Sequence, residues 1–158
     1  MNPQETLIRG LYTAMSQKDQ AAVGACYHPE AEFNDLVFSA KGKHIRAMWH
    51  MLSEVNTERQ MTIGDIEADE GGGRAHWEPS YKFGLTGRRV HNVIDSQFRF
   101  KDGLIVWQRD TFDFWRWARM ALGVPGVLLG WTPLLRNKIK AKARDNLAKF
   151  IAAHPEYQ

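Results

Sequence analysis

Two aspartates stand among apolar neighbours, where a charged carboxylate is hard to accommodate. Asp35 lies in Ala-Glu-Phe-Asn-Asp-Leu-Val-Phe, residues 31–38, and Asp110 in Val-Trp-Gln-Arg-Asp-Thr-Phe, residues 106–112. Burial disfavours the ionised form, and two carboxylates in one cavity repel each other, so at least one pKa rises toward neutrality. One group can then abstract a proton while the other donates one. The competing structural role for either is an Asp that fixes a loop or strand end by hydrogen bonds.

The other reactive side chains are more simply read as structural. Cys26 is alone, which excludes an internal disulfide framework and any multi-cysteine zinc site; Ala21, Ala22, Val23 and Ala25 around it suit a packed helical cysteine. His28 precedes Pro29 at an expected helix end, where a cation favours the helix dipole. His44 and His50 are six residues apart and so lie on different faces of one helix. His76 and His91 fall on the outward parity of strands, as cross-strand partners. Without a His-x-x-x-His pair or clustered carboxylates, neither a protein-held metal nor any other cofactor is expected.

The elements that must position the aspartates follow from periodicity. Leu7, Ile8, Leu11 and Met15 predict a helix over 3–16 with Pro3 in its first turn, and Asp19 caps a shorter helix to about Tyr27. A strand is expected over 32–39, a turn at Lys41–Lys43, and a third helix carrying Ile45, Met48, Trp49 and Leu52. From Glu58 the period becomes two: 58–68, 74–85, 89–100 and 104–115 read as strands joined by short Gly-containing turns, which forces antiparallel neighbours. Helices first and hairpins afterwards indicate an α+β fold. Beyond Asp113, two helical pieces are expected, broken near Gly123–Gly130 and burying Trp115, Leu128 and Trp131 against the domain or a dimer mate. The second starts at Thr132-Pro133 and carries a stripe of Leu135, Ile139, Ala143, Leu147 and Phe150.

At 158 residues the chain has room for one domain. No membrane span or secretory leader is read, so a cytoplasmic location is the expectation. Residues 114–158 hold eight Lys and Arg against Asp145 and Glu156, a net +6, while the first 113 are near −3. A solvated helix face explains this without nucleic acid, although Trp115, Trp117, Arg116 and Arg119 would also suit a membrane surface.

The stretch from Asp19 through Cys-Tyr-His-Pro-Glu-Ala-Glu-Phe-Asn-Asp-Leu-Val-Phe resembles the ketosteroid-isomerase segment in which a short helix runs into the strand bearing the catalytic base, and Asp35 falls on that base. The run from Thr86 to Trp115 is similar to the last two strands of limonene-epoxide-hydrolase-like proteins, with Asp110 on the first aspartate of their Trp-Arg-Asp-Tyr-Phe-Asp motif. As a whole the chain resembles ketosteroid-isomerase-related or SnoaL-like proteins of the nuclear-transport-factor-2-like superfamily. The resemblance implies a cone-shaped curved antiparallel sheet wrapped around N-terminal helices over residues 1–113 and pairing of two copies through the outer sheet face; the helical extension over 114–158, packed on this domain or a dimer mate, is one that the isomerase and the epoxide hydrolase lack. Departures bear on the chemistry. The isomerase's oxyanion-hole acid falls on Ser96 and its tyrosine near Leu11, one position from Tyr12; the hydrolase's Arg-x-Asp pair falls on Trp77 and Pro79.

Alternation along the strands then defines a concave face. With Asp35 inward, Phe33, Trp77, Tyr81, Asn92, Ser96, Gln108, Asp110 and Phe112 share its side, and Asp113 points out. That mixture of aromatic surface and few polar groups suits a small hydrophobic molecule. Asp35 and Asp110 are the catalytic candidates of an isomerase, lyase or cyclase. The alternatives are a non-catalytic binder of lipid-like or polyketide-like ligands, and a partner- or membrane-binding protein acting through the tail.

Overall fold

The computed structural model describes all 158 residues. Helix α1 (Pro3–Ser16) opens with a capping box, in which Asn2 accepts from the Glu5 amide over 2.9 Å and the Glu5 carboxylate accepts from the Asn2 amide. Its buried face, Ile8, Leu11, Tyr12 and Met15, is the one that the periodicity predicts. Helix α2 (Gln20–Ala25) starts at the Asp19 cap and ends earlier than expected, because Tyr27 already opens strand β1 (Tyr27–Asn34). The expected strand over 32–39 is broken after Asn34 and resumes as β2 (Ser39–Lys41). Helix α3 (Lys43–Val55) follows.

Strands β3 (Thr57–Asp69), β4 (Gly72–Lys82), β5 (Arg89–His91), β6 (Ile94–Lys101) and β7 (Leu104–Thr111) complete one sheet of order β2-β1-β7-β6-β4-β3, with β5 beside β4. Every pairing is antiparallel except β1 with β7, which is parallel. The β6–β7 turn places Asp102 at φ 53° and Gly103 at φ 75°, the two left-handed positions that a two-residue hairpin of right-twisting strands needs. His28, expected as a helix cap, is instead a β1 residue whose Nε2 lies 3.2 Å from Asp102 Oδ2 in that turn. The expected strand over 89–100 is interrupted at Asn92-Val93, where the Asn92 amide donates to the Pro79 carbonyl at 2.9 Å. On the convex face His76 bridges Asp95 and Glu78, and His91 reaches Glu78, the cross-strand role read from their parity.

The tail forms three helices rather than two: α4 (Phe114–Leu122), α5 (Val124–Leu129) and α6 (Pro133–Ala152), closed by a 3-10 turn at Pro155–Tyr157. Asp113 is exposed, as its outward parity predicts, and also serves as the N-cap of α4, accepting from the Arg116 amide at 3.0 Å. Helix α4 buries Phe114, Trp117, Ala118 and Ala121 with Tyr81 and Val90 of the sheet. Burying residues of this size contributes roughly 1.5–3 kcal/mol each for the aromatics, which fixes the start of the tail. Trp115, Leu128 and Trp131 are not buried within the chain, at 40, 62 and 66 % exposure; for Trp115 the cause is the helical repeat of α4, which turns Trp117 inward in its place. Helices α4 and α5 cross so closely that a β-carbon at Gly126 would stand 1.9 Å from the Ala118 carbonyl oxygen. Helix α6 returns across α3, with Leu147 in the core and Ile139, Ala143 and Phe150 turned to the cavity below. No helix is long and apolar enough to cross a membrane.

Candidate functional site

Between the concave face of the sheet and helices α3, α4 and α6 lies a cavity of about 510 Å³, lined mostly by apolar side chains. Asp35 and Asp110 both line it, as do Trp77, Tyr81, Asn92 and Phe112. Phe33, Ser96 and Gln108, also read as ligand-binding, stand behind that lining instead. Phe33 is fully buried against the Trp49 ring at 5.2 Å, while Ser96 and Gln108 are spent on Asp110.

Asp110 is the end point of a chain of hydrogen bonds whose direction is fixed. The Trp77 indole and the Tyr12 hydroxyl donate to Ser96 Oγ at 3.0 and 3.1 Å, so the Ser96 hydrogen goes to Asp110 Oδ1 at 2.6 Å. From the other side the Trp49 indole donates to Tyr27 at 3.1 Å, Tyr27 donates to Gln108 Oε1 at 2.6 Å, and Gln108 Nε2 donates to the same Oδ1 at 3.0 Å. Both branches begin at an indole, which can only donate. Oδ1 is therefore held as an acceptor and Oδ2 is left for the cavity. Burial drives the Asp110 pKa up to about 7, against the pull of the Ser96 and Gln108 bonds, with the Asp35 charge adding to the rise.

Asp35 sits in the β1–β2 connection. Its Oδ1 accepts from the Val37 and Phe38 amides at 2.6 Å each, an Asx-type turn that ends β1. The same group thus has a structural task at Oδ1, while its Oδ2 makes no hydrogen bond in a side chain that lines the cavity. Burial raises its pKa to about 6; the two amides and the Lys140 charge oppose the rise.

Two donors face the same space. Trp117 Nε1 donates to the Tyr81 hydroxyl at 2.9 Å, which leaves the phenol hydrogen for a ligand, and burial pushes that phenol to about 12, so it stays protonated. Asn92 spends Oδ1 on the Val93 amide at 3.1 Å, leaving its NH₂ for the cavity. Sequence reasoning placed Tyr81 and Asn92 on this face but missed Trp117 beneath Tyr81 and the supports Tyr12, Tyr27 and Trp49. Tyr12 in particular does not fill the oxyanion position; it is fully buried and acts on Ser96. The available signal was the density of Tyr and Trp, whose polar tips need partners when buried.

A cone of sheet closed by helices over an apolar cavity with a few inward polar groups defines the class, and the sequence matches the SnoaL-like domain family over residues 8–108. The chain belongs to that family, within the nuclear-transport-factor-2-like superfamily. Among solved structures it is similar to an LEH-like epoxide hydrolase of M. tuberculosis, with 18 % identity over 80 % of this chain and 96 % of that one and a TM-score of 0.65. It is also similar to a protein of Catenulispora acidiphila with a ketosteroid-isomerase-like fold, in complex with trimethylamine, with 12 % identity, 80 and 97 % coverage and a TM-score of 0.67. TsrD of Streptomyces laurentii gives 19 % identity, 77 and 96 % coverage and a TM-score of 0.67. At these identities the likeness concerns the fold. No curated protein matches the sequence.

Proposed function

We propose that the chain is an acid–base enzyme of isomerase, lyase or cyclase type acting on a small hydrophobic carbonyl compound. The observation that supports this most is the one-way hydrogen-bond chain ending on Asp110 Oδ1, which leaves the other oxygen of this carboxylate without a partner in an apolar cavity. Asp110 Oδ2 takes a proton from the carbon next to the carbonyl, and the electron pair moves onto the carbonyl oxygen. The resulting oxyanion accepts hydrogen bonds from the Tyr81 hydroxyl and the Asn92 amide. In an isomerisation Asp110 returns the proton to a different carbon of the enolate. In a cyclisation the enolate carbon instead attacks a second carbonyl of the same molecule, whose π electrons pass to its oxygen, and that oxygen takes the proton from Asp110 or Asp35. Epoxide hydrolysis is not part of this proposal, because Trp77 and Pro79 occupy the positions where the resemblance puts an Arg-x-Asp pair.

Hydrogen–deuterium exchange next to the carbonyl tests the reading. A panel of hydrophobic ketones incubated in D₂O is followed by NMR, with Asp110→Asn as the comparison. Enzyme-dependent exchange that Asp110→Asn lowers about 10²–10⁴-fold is expected. Tight binding without exchange, equal in both proteins, overturns it in favour of a non-catalytic binder.

A second reading rests on the tail. Val124, Val127, Leu128, Leu129, Trp131 and Leu134 are 45–75 % exposed, and between Asp113 and Asp145 the chain has seven Lys and Arg and no carboxylate. An apolar patch beside uncompensated positive charge suits an anionic bilayer surface, from which a lipophilic ligand could enter. Sedimentation with phosphatidylserine vesicles should be lost at high salt and in Leu128→Ser/Trp131→Ser. Dimerisation abolished by that variant, with no vesicle binding, assigns the patch to a second copy and ends this reading.

A further inference from the structure

We propose that His50, Glu54 and His154 form a site for a divalent transition ion, with zinc the one that these donors suit best. His50 and Glu54 lie one turn apart on α3, with His50 Nε2 and Glu54 Oε1 at 3.0 Å. His154 is more than a hundred residues away in sequence and arrives because α6 ends against α3. The three ligand atoms lie within 4.8 Å of one another. Neighbouring ligands of a tetrahedral zinc at ordinary bond lengths are roughly 3.3 Å apart, a spacing reached from here by side-chain rotation.

The outer atoms support ligation. His154 Nδ1 meets the Phe150 carbonyl at 2.7 Å, and a carbonyl can only accept, so the proton is on Nδ1 and the Nε2 lone pair is free. The ring is also stacked on Phe150 with centroids 3.9 Å apart, which fixes its plane. His50 Nδ1 has the Tyr157 hydroxyl at 2.8 Å, a partner that can accept its hydrogen and leave Nε2 for an ion. A histidine held at one nitrogen by a carbonyl or hydroxyl, with the other turned to the remaining ligands, is the usual setting of a metal ligand, and His50 Nε2 is turned to Glu54. The convex face differs, since His76 has a carboxylate at each nitrogen, at 2.8 and 3.0 Å, and no carbonyl or hydroxyl that fixes its ring toward an ion. Imidazole donors favour zinc over magnesium or calcium, and three protein ligands leave a fourth position for water. Both histidines are half-buried and Glu54 is exposed, so an ion can enter from solvent. The consequence would be local to the cavity: α3 lines it with Trp49, Met51 and Leu52, α6 lines it with Ala143, Asn146 and Phe150, and the ion would tie these two walls together.

The test uses the full chain stripped with a chelator. Isothermal titration with Zn²⁺, together with the visible absorption of four-coordinate Co²⁺, is measured for the wild type, His50→Ala, His154→Ala and His44→Ala. One ion per chain, a higher melting temperature with zinc, affinity at least tenfold weaker in His50→Ala and His154→Ala, and unchanged affinity in His44→Ala are expected. His44 is the fitting control because its Nε2 meets the Tyr157 backbone carbonyl, outside the ligand set. Absence of binding by the wild type overturns the proposal. So does zinc retained with equal affinity by His154→Ala, which would put the ion elsewhere.

Discussion

The Ser96 hydroxyl donates its hydrogen to Asp110 Oδ1 across 2.6 Å and has no alternative, because Trp77 and Tyr12 both donate to its oxygen. Replacing Ser96 with Ala therefore does two separable things. It leaves an indole N–H and a phenol O–H buried without an acceptor, at a cost of about 1–3 kcal/mol each. It also removes a bond that holds the Asp110 carboxyl down, so its pKa moves further up. A lower melting temperature and a pH–rate profile displaced to higher pH are expected; a profile that does not move would separate Ser96 from the base.

Asp110 also gives stability a pH dependence of definite sign. Its folded-state pKa, about 7, lies above its ordinary 3.8, so between these values the native state holds a proton that the unfolded chain has lost. On this account stability is greatest below about pH 4, falls as pH rises to about 7 and is flat beyond. The full difference is on the order of 4 kcal/mol as an upper bound. Asp110→Asn should flatten the part of this segment between pH 6 and 8 in urea melts, while the Asp35 contribution persists below about pH 6, and it should be as stable as wild type, or more so, at pH 8. Activity runs the other way, since the base must be ionised: kcat/KM should climb through about pH 7. Coupling to Asp35 makes that midpoint a property of the pair.

Tyr81 can be tested as an electrophile apart from its packing. Tyr81→Phe removes the hydroxyl that accepts from Trp117, so part of its effect is a stranded buried indole. Adding Trp117→Phe removes the stranded donor as well. The double variant should recover stability relative to Tyr81→Phe while activity remains down by about 10²-fold or more, the usual cost of losing an oxyanion donor. Recovery of both together would make Tyr81 a wall residue.

The hairpin region was legible because each strand repeats with period two between short turns: Trp77, Tyr81, Asn92, Asp110 and Phe112 reach the cavity as their parity predicts. The β1 segment was not, because Asp35 takes the Val37 and Phe38 amides and ends the strand by local bonds that no alternation pattern records. The support of Asp110 was hidden for another reason. Tyr27 and Gln108 are 81 positions apart and meet only through the parallel pairing of β1 with β7. His50 and His154 meet in the same manner, through the return of α6 over α3. In the tail, composition announced helices and breakers but not which tryptophan turns inward; the phase of α4, set by the Asp113 cap, decides for Trp117.

Asp35 carries the remaining test, because two roles meet in one carboxylate. Oδ1 serves the turn and Oδ2 has no partner in a side chain that lines the cavity, so Asp35→Asn and Asp35→Ala should differ in kind. Asn keeps an oxygen that can accept from Val37 and Phe38, and it removes the burial penalty of a group whose pKa stands near 6. Its melting temperature at pH 7 should match or exceed wild type. Ala loses both acceptor bonds at the end of β1 and should cost about 1–3 kcal/mol. If Asp35 only shapes the turn, catalysis will follow stability: Asn retains it and Ala loses it. If Asp35 returns the proton, catalysis will follow charge: Asn and Ala fall alike, by about 10²-fold, although only Ala is unstable. Asp35→Glu completes the series, since it keeps the acid but moves it one methylene from the turn, so partial activity in a destabilised protein is the outcome that requires both roles.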